Sequence, residues 1–321
     1  MMDARLQRRI QRYGWDKAAA CYEQSWQRQL APAQRTMLGL AGIEPGERVI
    51  DVACGTGLVT FAAAEAVGPT GLVLGTDISE VMVTLAAARG RARGCRHVRF
   101  ARMDAEDLSP LEDASFDVAL CGLGLMYVPD PLKAVREMTR LVNPAFELTS
   151  DPGGRVIAAV WGRRNRCGWA EIFPIVDARV KSEVCPMFFS LGTGDGLADV
   201  FRAAGLVDVI TERIETRLEW ATDDEACGAA FVGGPVALAY SRFDERTRHR
   251  VHREYLDSIA QWRAPIARMA GAIGNGGNGG NGGNGGNGHG DHRAGNGGGP
   301  DAIRGYSVPG EFVIVAGRRP A

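Results

Sequence analysis

The chain has 321 residues, with 37 basic against 38 acidic side chains and 45% hydrophobic residues. A net charge near zero gives no basis for electrostatic capture of nucleic acid, and no run of about 18 apolar residues exists to span a membrane. Seven cysteines, an odd number without a C-x-x-C pair, point to reduced thiols in a cytoplasmic protein, with no disulfide framework and no secretory leader expected.

Residues 1–44 read as helical. Arg5, Arg8, Arg9 and Arg12 form the only local basic cluster; a membrane surface or RNA could meet it, but an exposed helix face is the simpler reading. Tyr13, Trp15, Tyr22 and Trp26 follow, aromatics suited either to closing over a ligand or to packing the helix on what lies beneath.

Val49-Ile-Asp51-Val-Ala-Cys-Gly55-Thr-Gly57 is an apolar strand that ends in an acid and a Gly-x-Gly turn, before the helical stretch Leu58 to Ala66. Glycine there permits a tight turn and a close approach of backbone to a nucleotide-like ligand. A dinucleotide fingerprint would need a small residue where Thr60 stands. Asp51 would repel a pyrophosphate but suits a ligand carrying an ammonium group, so a nicotinamide dinucleotide is disfavoured. Gly71 to Asp77 is a second strand, and Asp77 at its end can accept two hydrogen bonds from ribose hydroxyls. A third strand is expected near His97 to Arg102, followed by Asp104-Ala105. Ser115 to Cys121 is a fourth strand with small residues at its end. Ligands in open α/β sheets bind outside such carboxyl ends.

Asp130 as N-cap, Pro131 in the first turn and the stripe Leu132, Val135, Met138, Leu141 define the next helix. Asn143 to Asp151 reads as a short surface insertion, and Arg155 to Trp161 as a fifth strand buried on both faces. A helix over Leu197 to Ala204, a sixth strand over Val207 to Trp220 and a charged helical region over 222–268 complete this part. Gly274 to Pro300 is almost wholly Gly and Asn; it cannot bury enough apolar surface to order itself and is expected to be a disordered insertion. Tyr306 to Gly317 resumes as an apolar strand. His249 and His252 share a helix face, but no third ligand accompanies them and no metal is expected.

In order and spacing, Asp51 to Gly57, Asp77 to Met82, Asp104-Ala105, Ser115 to Val118, Gly124 to Asp130 and Pro152 to Val156 resemble the class I S-adenosylmethionine-dependent methyltransferases, in particular the ubiquinone and menaquinone C-methyltransferase group. The resemblance covers about residues 45–162. It implies an α/β, Rossmann-like, doubly wound seven-stranded sheet, mostly parallel, with an antiparallel last strand beside the fifth. It also implies an N-terminal helical lid over 1–44, a methyltransferase domain over 45–321, and helical substrate-cover segments near 163–196 and 222–268. S-adenosyl-L-methionine is the implied cofactor. Gly55 and Gly57 would pass under its methionine part, Asp51 with the backbone near Ala53 and Cys121 would lie near its ammonium, and Cys54 and Thr56 complete the turn. Asp77 would hold the ribose, Ile78 beside it would belong to the cofactor site, Met82 would pack on adenine, and Asp104 with Ala105 would meet its amino group. The methyl acceptor is expected to be small and apolar or aromatic, methylated at carbon, oxygen or nitrogen, with Tyr13, Trp15, Tyr22, Tyr127 and Trp161 as candidate contacts. No catalytic base is assigned. The alternatives are a cofactor-binding scaffold without turnover and, less favoured, a nicotinamide-dependent oxidoreductase.

Overall fold

The computed structural model describes residues 3–145, 153–180, 188–267 and 302–321. The expected Gly/Asn insertion and most of the expected surface insertion after Asn143 lie outside the described residues. Among the described residues eight strands form one sheet: β1 (Arg48–Val52), β2 (Leu72–Asp77), β3 (Val98–Arg102), β4 (Val118–Gly122), β5 (Arg155–Trp161), β6 (Val207–Trp220), β7 (Arg263–Ala267) and β8 (Ala302–Arg318). The main path runs β3-β2-β1-β4-β5-β8-β6. Strands β1 to β5 pair in parallel, and β8 lies antiparallel between β5 and β6. The seven-stranded doubly wound order is therefore present, with β7 as an additional strand on the far end of β8.

That additional strand corrects the helical reading of 222–268. The helices α7 (Asp223–Cys227), α8 (Ala237–Tyr240) and α9 (Glu245–Ile259) are there, but Arg263 to Ala267 is extended, with Ala267 opposite Ala302 in the antiparallel register. A partner 35 or more residues away decides this conformation, and Pro265, which has no N–H to donate, is tolerated because β7 is an edge strand.

Helix α1 (Ala4–Ala41) is a single element of 38 residues, stopped by Gly42 in a left-handed conformation. Gln11, Gly14, Ala18, Trp26, Gln29, Ala33 and Met37 recur at helical spacing on its buried side. It packs across β4, β5, β8 and β6, and touches α2 (Leu58–Val67) and α3 (Glu80–Ala92). Helices α4 (Pro131–Leu141) and α6 (Gly196–Ala203) pack together and on β4, β6 and β8, while α5 (Ile172–Asp177) meets α9. Asp130 caps α4 as expected, its carboxylate accepting the Lys133 N–H at 3.0 Å. Val156 to Val160 are fully buried, and Val156, Ile157 and Val160 each contribute about 1.5–3 kcal/mol of burial. This rigid centre fixes the strand ends on which the site is built.

Candidate functional site

After β1 the chain turns through Ala53 (φ 58°), Gly55 (φ 54°) and Gly57 (φ 91°). The last of these allows no side chain on two grounds: its dihedral is left-handed, and a Cβ would come within 2.8 Å of the Phe61 ring. The turn is tied to the end of β2. Gly55 donates its N–H to Asp77 Oδ2 at 2.9 Å, Ser79 donates its N–H to Asp77 Oδ1 at 2.8 Å, and Cys54 donates to the Thr76 carbonyl. Ser79 in turn caps α3, its Oγ accepting the Met82 N–H at 3.1 Å. A glycine turn, an acid and a helix start are thus one hydrogen-bonded unit.

Above this unit lies a cavity with about 720 Å³ of space not filled by atoms, part of it open to solvent. Ala53, Gly55, Asp77, Ile78, Met82, Asp104 and Ala105 line it, and Trp15, Tyr22 and Tyr127 form its other wall. Asp51, Cys54, Thr56, Gly57 and Cys121 do not line it; all five are buried within the turn and the strand ends. Gly124, after β4, also faces the cavity, where a Cβ would approach Ala53 Cβ to 2.5 Å and Cys121 Sγ to 2.8 Å. The site sits where the strand order reverses between β1 and β4, the expected position in a doubly wound sheet.

The electrostatics suit a cationic ligand. Burial pushes the Asp51 carboxyl up to about 7, opposed by the Thr60 hydroxyl that donates to Oδ2 at 2.6 Å. Its Oδ1 is buried without a hydrogen-bond partner. Burial likewise raises Asp77 to about 6, opposed by the Ser79 and Gly55 N–H groups. Burial, with Asp51 and Asp77 nearby, raises the Tyr22 phenol well above its ordinary value, and Cys54 rises for the same reasons. Cys121 rises to about 12, chiefly by burial. Two costly acids, one with an orphan oxygen, would be relieved by positive charge. A nucleoside with a cationic amino-acid tail fits this donor and acceptor set.

Asp104 is not free to serve a ligand alone. Arg8 of α1 lies 3.1 Å from its Oδ2 and donates to Glu106 Oε2 at 2.5 Å, while Glu106 Oε1 accepts the Asp130 N–H at 2.8 Å. Two further contacts hold this half of α1 down: Asp16 accepts from the Ser79 hydroxyl at 2.6 Å, and Glu23 pairs with Arg89. Sequence reasoning left Arg8 in an exposed cluster, because its partner Glu106 is 98 residues away.

A second, apolar chamber adjoins the first and shares Trp15, Tyr22, Leu123 and Tyr127 with it. Its remaining walls are Trp26, Leu30, Trp161, Trp169 and Pro235. Trp15 meets Tyr127 edge-on with centroids 5.0 Å apart, and Trp161 meets Trp169 at 4.7 Å. Trp161 belongs to this chamber alone. Leu123, buried at φ 62°, carries backbone strain at the junction. Tyr13 lines neither chamber; it is 44% exposed, because two residues along a helix turn it away from Trp15. Among the described residues no histidine lines either chamber. His97 bonds the Ala64 carbonyl, and His252 bonds Tyr240 between stacked rings. No group of three or more potential metal ligands occurs among the described residues.

Residues 43–160 match a family model described as a methyltransferase domain. A demethylmenaquinone methyltransferase of Bacillus cereus is 32% identical over 207 residues, covering 60% of this chain and 81% of the relative. One of Bacillus cytotoxicus is 37% identical over 149 residues, covering 46% of this chain and 59% of the relative. Among solved structures, the YcgJ protein of Bacillus subtilis superposes with a TM-score of 0.52 at 16% identity, covering 92% of this chain and all of the other. A putative methyltransferase of Bacillus halodurans gives 0.52 at 16% identity, covering 90% and 99%. These structures share the fold.

Proposed function

Because the chain belongs to the class I S-adenosylmethionine-dependent methyltransferases of the menaquinone and ubiquinone C-methyltransferase type, we propose that it methylates a ring carbon of a planar quinol-type acceptor. The observation that carries this reading is the aromatic chamber sharing Trp15, Tyr22, Leu123 and Tyr127 with the cofactor cavity. Flat walls of Trp and Tyr favour a flat, apolar ring over a sugar or a free amino acid. The names of the relatives, demethylmenaquinone methyltransferases, support the same acceptor class.

When bound, S-adenosylmethionine supplies a methyl group already activated on a sulfonium sulfur, which the acceptor displaces in line. Asp77 would accept from the ribose hydroxyls through lone pairs not used by Gly55 and Ser79. Met82, Ile78 and Ala105 would pack on the adenine, and Asp104, held by Arg8, would accept from its amino group. Ala53 and Gly55 present backbone to the methionine part, and Asp51 behind them supplies negative potential toward the ammonium. The protein contributes orientation and exclusion of water rather than bond chemistry.

The Tyr22 phenol, pushed upward by burial, stays protonated at neutral pH and can donate to an acceptor oxygen. The second chamber presents Trp, Tyr, Leu and Pro side chains, none of them a base at neutral pH. An acceptor activated by its own ring hydroxyl therefore suits it. The test is incubation with S-adenosylmethionine and a panel comprising a reduced demethylnaphthoquinol, its oxidised quinone, a catechol and a primary amine. Mass spectrometry is expected to find a C-methyl product from the reduced quinol alone. Methylation confined to the amine or to catechol oxygen would overturn the reading.

A further inference from the structure

The outward face of α1 is unrelated to the cavity that its inner face covers. At 3.6 residues per turn, Arg5, Leu6, Arg9, Arg12 and Tyr13 fall on one side, and Gln11, Trp15 and Tyr22 on the other. Leu6 is 48% exposed, Tyr13 44% and Val81 40%, high values for large apolar side chains. Val81 stands beside this face, since its N–H points at Asp16 Oδ1, 3.4 Å away. Around these apolar groups, Arg9, Arg12 and Arg102 line a groove that shares Arg8, Ile78, Met103 and Asp104 with the cofactor cavity. Among the described residues no carboxylate lies within ion-pair distance of Arg5, Arg9 or Arg12, and Arg102 meets Glu80 only at 3.9 Å. Glu80 and Asp104 also line the groove, so the unpaired positive charge at the mouth of the site is that of Arg5, Arg9 and Arg12, set among isolated apolar tips.

We propose that this face docks on the surface of an anionic lipid bilayer. A helix lying in the membrane plane presents this combination: apolar side chains that enter the boundary between headgroups and acyl chains, flanked by arginines that meet lipid phosphates. A nucleic acid would engage the arginines but would leave Leu6 and Val81 without a role, since phosphate contacts gain nothing from exposed aliphatic groups. No helix among the described residues is long and apolar enough to cross a membrane, so the contact is peripheral. Docking in this pose brings the mouth of the cavity to the lipid surface. The inference stands on the surface itself and holds whichever acceptor is used.

The experiment is co-sedimentation of the full chain with phosphatidylcholine vesicles, with and without phosphatidylglycerol. Binding is expected only to the anionic vesicles, weakening as salt is added. The variant Arg5→Glu/Arg9→Glu is expected to lose about tenfold or more in vesicle affinity, the scale of two lost arginine attractions. Leu6→Gln/Val81→Gln is expected to weaken binding while keeping its salt dependence. Both variants should bind S-adenosylhomocysteine as the parent does, which shows that the fold and the cofactor site are intact. Equal binding to neutral vesicles, no binding to anionic vesicles at low salt, variants that bind like the parent, or bulk transfer RNA bound more tightly than the vesicles would each overturn the proposal.

Discussion

Gly55 and Asp77 are joined by an N–H···Oδ2 bond of 2.9 Å, so the turn after β1 and the acid ending β2 cannot move independently. Replacing the carboxylate removes a ribose acceptor and also frees the turn. Asp77→Ala is predicted to weaken S-adenosylhomocysteine binding by about 1–3 kcal/mol, the scale of hydrogen bonds to a charged group. Titration calorimetry on the folded variant measures it, and an unchanged affinity removes Asp77 from the ribose role.

The two buried acids make the protein sensitive to pH. Their folded values of about 7 for Asp51 and about 6 for Asp77 lie above the ordinary 3.8. The folded state therefore holds these protons more tightly than the unfolded chain, so the stabilisation is fully present below pH about 4 and is lost as pH rises through about 6 to 7. The unliganded protein should melt at a lower temperature on the alkaline side of that window. S-adenosylhomocysteine, with its ammonium, should bind more tightly there as Asp51 ionises. Paired melts and calorimetry at pH about 5.5 and about 8 test both trends, and Asp51→Asn should flatten them.

Gly124→Ala places a Cβ against Ala53 and Cys121 at distances no packed carbon tolerates. A destabilisation of about 1–3 kcal/mol is expected from this overpacking. Gly228→Ala, where nothing lies within 4 Å and φ is −59°, is the control that should not destabilise. Denaturant titration of the pair reads the difference.

Arg8→Ala leaves the side chain of Glu106, which is 1% exposed, with the Asp130 N–H but without its cation. The variant is expected to lose about 1–3 kcal/mol of stability and to release S-adenosylhomocysteine several-fold faster, because the start of α1 loses its anchor. Stopped-flow dissociation would find no change if Arg8 were merely a surface charge.

Trp161 lines the second chamber and not the first. Trp161→Leu should raise the acceptor KM by about three- to tenfold, the scale of a lost aromatic contact, while leaving cofactor affinity in place. A parallel loss of cofactor affinity would mean that the two chambers do not divide the ligands in this way.

Local punctuation made much of this legible. The turn at Gly55 and Gly57, the acid at Asp77 and the cap at Asp130 act within a few residues, so their effects can be read from a short window of chain. Val135, Met138 and Leu141 of the α4 stripe are buried as their spacing implies, while Leu132 is only half-buried. What could not be read depends on distant partners: Arg8 finds Glu106, β7 finds β8, and Leu123 joins the chambers only because Trp15 and Tyr22 of α1 reach across to it. Composition groups Tyr13 with Trp15 and Tyr22, but the helical period separates them. The backing position of Asp51, Cys54, Thr56 and Cys121 was hidden for a related reason, since a motif gives sequence order and not which atoms face the cavity.

The insertion of β8 between β5 and β6 has a consequence for biosynthesis. Both neighbours emerge from the ribosome well before residues 302–318 do, and until then each presents an open edge toward a gap one strand wide. Nascent chains stalled in that interval carry two sticky borders where a foreign strand could lodge. Translation pauses near the Gly/Asn tract should therefore raise the yield of insoluble product, and a chaperone that shields those borders should lower it.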